Sequence, residues 1–177
     1  MILPIYTYGQ PVLKKVGVDI DQNYEGLDTL ITDMYETMYA AKGVGLAAPQ
    51  IGLAIRLFIV DTIQIMDEDK KETGIKKAFI NAQILEENGD FWAYEEGCLS
   101  IPNVRGDVER HAKIRIRYMD AQFNQHEELY DGINARVIQH EYDHIEGILF
   151  TEKLKPLKKK LVQRKLNAIK AGKMQAD

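Results

Sequence analysis

The sequence predicts an α+β fold in which mixed β-sheets surround one central helix and further helices lie near both ends of the chain. We expect strands before and after a central helical pattern at 131–147, and helical patterns also occupy 24–41 and about 153–173. No repeat or linker interrupts the 177 residues, a length that suits one domain with a sizeable core. We therefore expect residues 1–177 to form a single domain.

Apolar residues recur at helical spacing from Tyr24 to Ala41 and predict a helix with one face packed on the core. Asp21 or Asn23 is placed to cap its N-terminus, because a short polar side chain can accept a hydrogen bond from a free backbone N–H there. Gly43 is expected to end this helix.

The apolar run from Leu53 to Val60 predicts a buried strand, and 77–85 predicts its partner. Between them, the charged segment 66–74 carries a turn glycine and predicts an exposed hairpin loop without chemistry. Residues 113–118 alternate apolar and basic side chains, which is the period of a half-buried strand. Their arginines are expected on a solvated face.

Asp131 is expected to cap the helix that follows it, and Gly147 to end that helix. The last helix tolerates Pro156 only in its first turn, where no backbone N–H is needed. Its predicted core-facing residues recur at helical spacing: Leu154, Leu157, Leu161, Val162, Leu166 and Ile169.

His140 and His144 lie one helical turn apart, so both imidazoles can reach one metal ion while Glu141 lies beside it. This pattern is typical of a hydrolytic metal site with its own base, and it predicts that the central helix is metal-bearing. A catalytic metal needs a third protein ligand. No histidine follows His144 and the carboxylates there are poorly placed, so we predict that Cys98, the only cysteine, is the third ligand.

Three short motifs occur in order along the chain: GVGLAAPQ at 43–50, EGCLS at 96–100 and QHEYDH at 139–144. With these motifs the chain resembles the peptide deformylase family from Tyr8 to Phe150. The resemblance implies β-structure wrapped around the metal-bearing helix. It also implies an enzyme that hydrolyses the N-formyl group of the formylmethionine at the start of new polypeptides and releases formate.

The resemblance implies roles for individual residues. The three ligands would hold one divalent metal, which lowers the pKa of a water in the fourth position. Glu141 would take a proton from that water and pass it to the departing amine. The side-chain amide of Gln50 and the backbone N–H of Leu99 would donate hydrogen bonds to the oxygen of the attacked formyl group.

The predicted pocket for the unbranched methionine side chain includes Val44, Leu99, Ile133 and Val137, and Gly45 is expected to let the backbone approach the substrate closely. Core packing explains Ile133 and Val137 equally well. Arg105 is predicted to hold the peptide backbone, and an ion pair of Glu96 with Arg110 to brace the loop of the Cys motif. Arg136 stands where the family favours an apolar residue, and we expect it either to alter the pocket rim or to extend its charge to solvent.

Two imidazoles and a thiolate suit Fe(II), Zn, Ni and Co, so the ligands alone do not select the metal. Similar enzymes characteristically use Fe(II), which we therefore expect as the native metal. The single cysteine suits a reducing cytosol, and the first residues resemble neither a signal nor a transit peptide. We expect a protein of the bacterial cytoplasm, with a processed organellar protein as the alternative.

Nine Lys and Arg residues and no acid fall between Lys153 and Met174, so the other residues carry a net charge of −13 within a total of −4. This basic tail predicts either a solvated helix face or a surface that docks on ribosomal RNA where new chains emerge, as the family implies. No apolar run is long enough to span a membrane. We expect neither a membrane nor DNA as a partner.

Two other functions remain compatible with these residues. A metallopeptidase uses a metal and a base for the same chemical steps, but the upstream cysteine ligand and the Gln50 motif disfavour it. A structural zinc protein with an RNA-binding tail would close its site with four protein ligands. This chain offers three ligands and a carboxylate in the position of the base.

Overall fold

The structure, a computed structural model, describes residues 1–172. Three α-helices and one antiparallel sheet form in this range, which confirms the α+β class. The helices are α1 (Leu27–Ala40), α2 (Gly132–Ile145) and α3 (Pro156–Lys170). The strands lie in the sheet in chain order: β1 (Gly45–Ala47), β2 (Leu57–Asp61), β3 (Lys76–Cys98), β4 (Ile101–Met119) and β5 (Gln125–Asp131). Lys173 and Met174, the last residues of the predicted basic tail, lie outside the described residues.

The long strands β3 and β4 form a hairpin that makes up most of the sheet. Its register shifts at several places, and the last shift lies between Gly97 and Cys98, where the hairpin reaches its turn. An irregularity of this kind bends a strand and redirects the next side chain. The position of Cys98 therefore depends on the pairing of the whole hairpin.

Helix α2 packs against β1, β2, β4 and β5 and is the central helix that the sequence predicts. The expectation of strands after it is wrong, because up to residue 172 only helical segments follow α2. Its apolar residues Ala135, Val137, Ile138 and Ile145 belong to a core with Phe58 and Phe79. Five polar residues of the same helix are also buried: Arg136, Gln139, Glu141, Asp143 and His144. Buried polar groups are costly unless they are paired, so this helix imposes strict requirements on its neighbours.

The predicted end of α2 at Gly147 is confirmed. Gly147 adopts a left-handed φ of 74°, and the N–H of Ile148 donates to the carbonyl of Asp143 at 2.8 Å. A side chain at Gly147 would also meet the carbonyl oxygen of Lys14 at 2.6 Å. Asp131 occupies the N-cap position as predicted, but its side chain makes no capping hydrogen bond.

The predicted capping of α1 by Asp21 or Asn23 is wrong. The helix begins at Leu27, after Gly26 in a left-handed conformation, and no side chain caps it. The Asp21 carboxylate instead accepts the N–H of Asn23 at 2.9 Å. Because this local hydrogen bond already engages the carboxylate, Asp21 does not cap the helix, and α1 begins only at Leu27.

The predicted strand pair is confirmed, although β2 begins at Leu57 and not at Leu53. The charged segment between β2 and β3 contains a short 3₁₀ helix, Glu68–Thr73, with no buried residue. In β4, Arg115 is exposed and pairs with Glu127 across the sheet, as expected of a solvated face.

In α3 the predicted apolar stripe is only partly correct. Val162, Leu166 and Ile169 are buried, whereas Leu157 and Leu161 are 72% and 67% exposed. Leu161 precedes Val162 and so lies about 100° further round the helix, outside the narrow face that meets the core. Among the described helices, none combines the length and the apolar character that crossing a membrane requires.

A buried ion-pair network joins the β3–β4 hairpin to α2. The Arg110 guanidinium donates to both carboxylate oxygens of Glu96, at 2.7 and 3.0 Å, which confirms the predicted pair. It also donates to Asp143 of α2 at 2.8 Å. The hydrogen bonds therefore specify how the hairpin and the helix dock.

We expect Arg110→Met to lower the free energy of unfolding by about 3 kcal/mol, because it removes a partner that the buried carboxylates of Glu96 and Asp143 share. Urea denaturation followed by circular dichroism measures this change. The matched control is Arg115→Met, which removes a guanidinium that lies near the surface, and it should lower the free energy of unfolding much less than Arg110→Met does. Equal losses in the two variants would contradict the importance of the buried network.

Candidate metal centre

Three candidate ligands meet where β3 ends beside α2. The ligand atoms of Cys98, His140 and His144 all lie within 4.8 Å of one another. Cys98 Sγ is 3.4 Å from His144 Nε2. That separation fits two ligands of one tetrahedral ion at bond lengths of about 2.3 Å for sulfur and 2.0 Å for nitrogen. Among residues 1–172 no fourth His, Cys, Asp or Glu joins this group, so the donor set suits a metal with one open position.

The two imidazoles differ in their surroundings. Burial holds the pKa of His144 well below its usual range and keeps the ring neutral, which is the form that binds metal. Burial acts the same way on His140, but hydrogen bonds to Cys98 and Glu96 outweigh it and raise the pKa of His140 to about 10, so a bound metal would displace the proton from this ring. His140 Nδ1 lies 2.8 Å from Glu96 Oε1. This contact directs the other ring nitrogen toward the shared site, as outer carboxylates do for metal ligands.

Glu141 is a buried carboxyl group beside the ligands, and its Oε1 has no hydrogen-bond partner within residues 1–172. Burial raises the pKa of Glu141 to about 7, so the group can both accept and release a proton near neutral pH. A Cβ on Gly45 would lie 2.5 Å from Glu141 Oε2. Only glycine therefore lets β1 pass this close to the carboxylate.

The Gln50 side chain is held in one orientation. The backbone N–H of Ala47 donates to Gln50 Oε1 at 2.9 Å, which identifies the other end as the amide donor. That donor, Nε2, lies 3.1 Å from Ser100 Oγ and 3.4 Å from Cys98 Sγ. An N–H donor that does not titrate is thus aimed at the ligand group.

A cavity of about 460 Å³ opens over these groups. Its wall includes every predicted site residue except His144: Val44, Gly45, Gln50, Cys98, Leu99, Arg105, Ile133, Val137, His140 and Glu141. His144 is 1% exposed and adjoins Cys98. Tertiary folding therefore brings together residues that are up to 100 positions apart in the chain.

Arg105 lies at the exposed mouth of this cavity. Its side chain is 61% exposed and donates to Glu95 at 2.7 Å. A bound peptide would share or displace this contact, because the guanidinium already has a carboxylate partner.

Several residues of the site were not among the predicted ones, notably Tyr94 in the cavity wall and Glu96 as the partner of His140. The signal that could have indicated them is strand alternation, because Trp92, Tyr94 and Glu96 fall on one face of β3. That pattern does not specify which element covers the face.

The prediction that Arg136 extends to solvent is wrong, whereas its alternative, a place in the pocket wall, agrees with the structure. Arg136 is 2% exposed and lines the cavity. Its Nη1 donates to Glu96 at 2.8 Å. The negative charge of Glu96 makes burial of this guanidinium possible.

The chain is similar to known proteins over nearly its whole length. Residues 2–160 match the family model of polypeptide deformylases. The peptide deformylase of Flavobacterium psychrophilum is 55% identical over 184 residues, which cover 100% of this chain and 95% of that protein. The peptide deformylase of Christiangramia forsetii is 53% identical and is covered to 94%, again against 100% of this chain. The crystal structure of peptide deformylase from Thermus thermophilus superposes with a TM-score of 0.86 at 35% identity, over 97% of this chain and 99% of that one.

We expect the protein to bind one equivalent of Co(II) with a sulfur-to-metal charge-transfer band, because a thiolate belongs to the predicted ligand set. Cys98→Ser should abolish the band and weaken binding by more than about tenfold, since loss of an outer partner alone costs that much. Titration followed by absorption spectroscopy measures both effects. Ser100→Ala is the control, because this neighbour contacts Gln50 and is not a ligand. Persistence of the band in Cys98→Ser would disprove thiolate ligation.

Proposed function

The chain belongs to the polypeptide deformylase family, and on this premise we propose how its own residues carry out the reaction. Its function is peptide deformylation, the hydrolysis of the formyl group during N-terminal processing of new polypeptides. Because the chain belongs to this family, we reject the two alternative functions, a metallopeptidase and a structural zinc protein. The observation that best supports the residue roles is that candidate ligands, base and amide donor line or adjoin one cavity.

Cys98, His140 and His144 hold one divalent metal in this proposal. Their mutual distances and the neutral state of His144 fit such an ion. When bound, the metal would act as a Lewis acid and lower the pKa of a water molecule toward neutrality. The ligands do not select among Fe(II), Zn, Ni and Co. We propose Fe(II) as the native metal because similar enzymes characteristically use it.

Glu141 moves the proton. Its unpaired Oε1 receives a proton from the attacking water, whose oxygen bonds to the formyl carbon. The bond between that carbon and the amide nitrogen then breaks, and the nitrogen takes the proton from Glu141. Formate and a free amino terminus are the products. A carboxyl pKa of about 7 suits both halves of this transfer.

Negative charge develops on the formyl oxygen during attack and needs donors that are already in place. Gln50 Nε2 is one such donor, because the Ala47 N–H fixes the orientation of its amide. The backbone N–H of Leu99 is the second in this proposal. It directly follows Cys98, so its position is tied to the ligand.

The substrate lies in the cavity with its methionine side chain among the apolar residues of the wall, Val44, Leu99, Ile133 and Val137. Strand β1 lies at one edge of the sheet and includes Gly45. An edge strand offers backbone groups to an extended peptide, and glycine allows a close approach. Arg105 at the mouth completes the proposed contacts with the peptide backbone.

We place this activity in the bacterial cytoplasm, in a single domain comprising residues 1–177. The family match covers residues 2–160, which supports one catalytic unit. The relatives compared above are bacterial proteins, and new polypeptides are formed in the cytoplasm.

Helix α3 is proposed to dock the enzyme on ribosomal RNA. Lys158, Lys159, Lys160 and Arg164 are exposed, and within residues 1–172 none of them forms an ion pair. Leu157 and Leu161 lie on the same exposed part of the helix. Phosphate groups attract such a cluster of cations, and salt weakens the contact.

The double variant Lys158→Glu, Lys159→Glu should weaken co-sedimentation with bacterial ribosomes and reduce the slope of log affinity against log salt by about 2, one for each lost phosphate contact. The double variant Lys70→Glu, Lys71→Glu is the control, since it makes the same change of charge in the segment between β2 and β3. If both variants bind equally well, α3 is a solvated face and not a docking surface.

Formate release from formyl-Met-Ala-Ser tests the reaction, with protein purified without oxygen and loaded with Fe(II). Glu141→Gln should retain the metal and lose about 10²–10⁴-fold in kcat, because it removes the proton acceptor. Glu146→Gln is the control, since Glu146 lies just beyond the same helix and pairs with Arg56. Undiminished turnover by Glu141→Gln would contradict its role, and no formate from the metal-loaded wild type would contradict the proposed function.

A further inference from the structure

Arg136 contributes a buried positive charge to the wall of the cavity. It lines the cavity together with Ile133 and Val137 of the same helix. Tyr94 of β3 also lines it. None of the roles proposed above for ligands, base or oxyanion donors uses this guanidinium.

The guanidinium ties α2 to both long strands. Nη2 donates to the backbone oxygen of Trp92 in β3 at 2.6 Å, and Nη1 donates to that of Val108 in β4 at 2.8 Å. The guanidinium carbon lies 4.5 Å from the ring centroid of Trp92 and 5.6 Å from that of Tyr94, within cation–π range. The two rings meet edge to face at 5.3 Å. Arg136 thus holds the backbone of β3 at Trp92 and contacts the rings of Trp92 and Tyr94.

The bond between Arg136 and Glu96 is not the main support of the metal ligands. Arg110 already donates to both oxygens of Glu96, and His140 meets the same carboxylate at 2.8 Å. Removing Arg136 leaves those three contacts in place. Arg110 does not replace the contacts that Arg136 makes with Trp92 and Tyr94.

We propose that Arg136 is a positioning residue for the substrate side chain. It holds Trp92 and Tyr94 so that the β3 wall of the cavity keeps a fixed distance from the α2 wall, formed by Ile133 and Val137. This inference rests on the proposed function, because the cavity then receives the side chain of formylmethionine. A pocket with fixed walls fits an unbranched side chain closely and rejects a wide one, whereas a loosened wall does neither.

The test compares formate release from formyl-Met-Ala-Ser and formyl-Phe-Ala-Ser by the Fe(II)-loaded enzyme. Arg136→Met should raise KM for the methionine peptide by about tenfold, the size of a mismatch of roughly one methylene in an apolar pocket. Its kcat and metal content should stay close to those of the wild type. The ratio of kcat/KM for the methionine peptide to kcat/KM for the phenylalanine peptide should fall. Arg136→Lys keeps the positive charge but lacks the planar guanidinium. Its KM should therefore lie between the values of the wild type and of Arg136→Met. Arg115→Met is the control and should leave all these values unchanged.

Trp92 is the only tryptophan of the chain and contacts Tyr94 of the cavity wall, so its fluorescence reports on the surroundings of that wall residue. The product peptide Met-Ala-Ser should change the emission of the wild type, and Arg136→Met should lose most of that change. Trp92→Leu removes the ring while leaving every buried charge in place. It should raise KM in the same way, and it provides the kinetic test if Arg136→Met does not fold.

The outcomes separate the possible roles. A higher KM, a narrowed preference and a lost fluorescence response support the positioning role. A lower kcat with lost metal and unchanged KM would overturn it, because Arg136 would then act through Glu96 and His140. Lower thermal stability with unchanged KM and preference would also overturn it and leave Arg136 purely structural. If the wild type itself released no formate, the proposed function would fail and this inference with it.

Discussion

The buried carboxylate of Glu96 is the point on which the hairpin, the central helix and the metal centre all depend. Burial raises the pKa of Glu96, but hydrogen bonds from His140 and Arg110 outweigh it and hold that pKa well below its usual range. A charge that is 5% exposed is tolerated only with all of its partners present. Those partners come from β4 and α2, so the two elements have to dock on β3 in one register. Cys98 lies two residues beyond Glu96, and the ligand geometry follows from that docking.

Burial also gives the site its chemical character. Removal from water raises the pKa of Glu141 to about 7 and lowers the pKa of His144, which keeps that imidazole neutral. Close packing needs small residues at particular points. A Cβ on Gly43 would lie 2.8 Å from Leu99, and one on Gly45 would lie 2.5 Å from Glu141. The glycines of the first motif therefore allow the close packing around the cavity.

The parts of the structure that could be predicted are those with a local signal. The spacing of His140 and His144 predicts their meeting on one helix face, and Gly147 is at the end of that helix. The predictions that were wrong concern contacts with other elements. Leu157 and Leu161 have the right spacing for a core face, yet the narrow contact of α3 leaves them in solvent. One interpretation of the sequence places the charge of Arg136 in solvent. Its actual partner, Glu96, is 40 residues away in the chain, so no local pattern indicates the pair.

By itself the sequence determined the helix with its two imidazoles, the strand periodicities and, through three ordered motifs, the family. These depend on spacings of two to four residues, which backbone geometry converts directly into faces of helices and strands. Only the tertiary structure decided that Asp143, His140 and Arg136 join the pair of Glu96 and Arg110. It alone also decided how Gln50 is oriented beside Cys98, and that Arg136 packs on Trp92. The physical reason is that these contacts join residues 33 to 48 positions apart in the chain, and their energy depends on burial and on partners that no local pattern specifies.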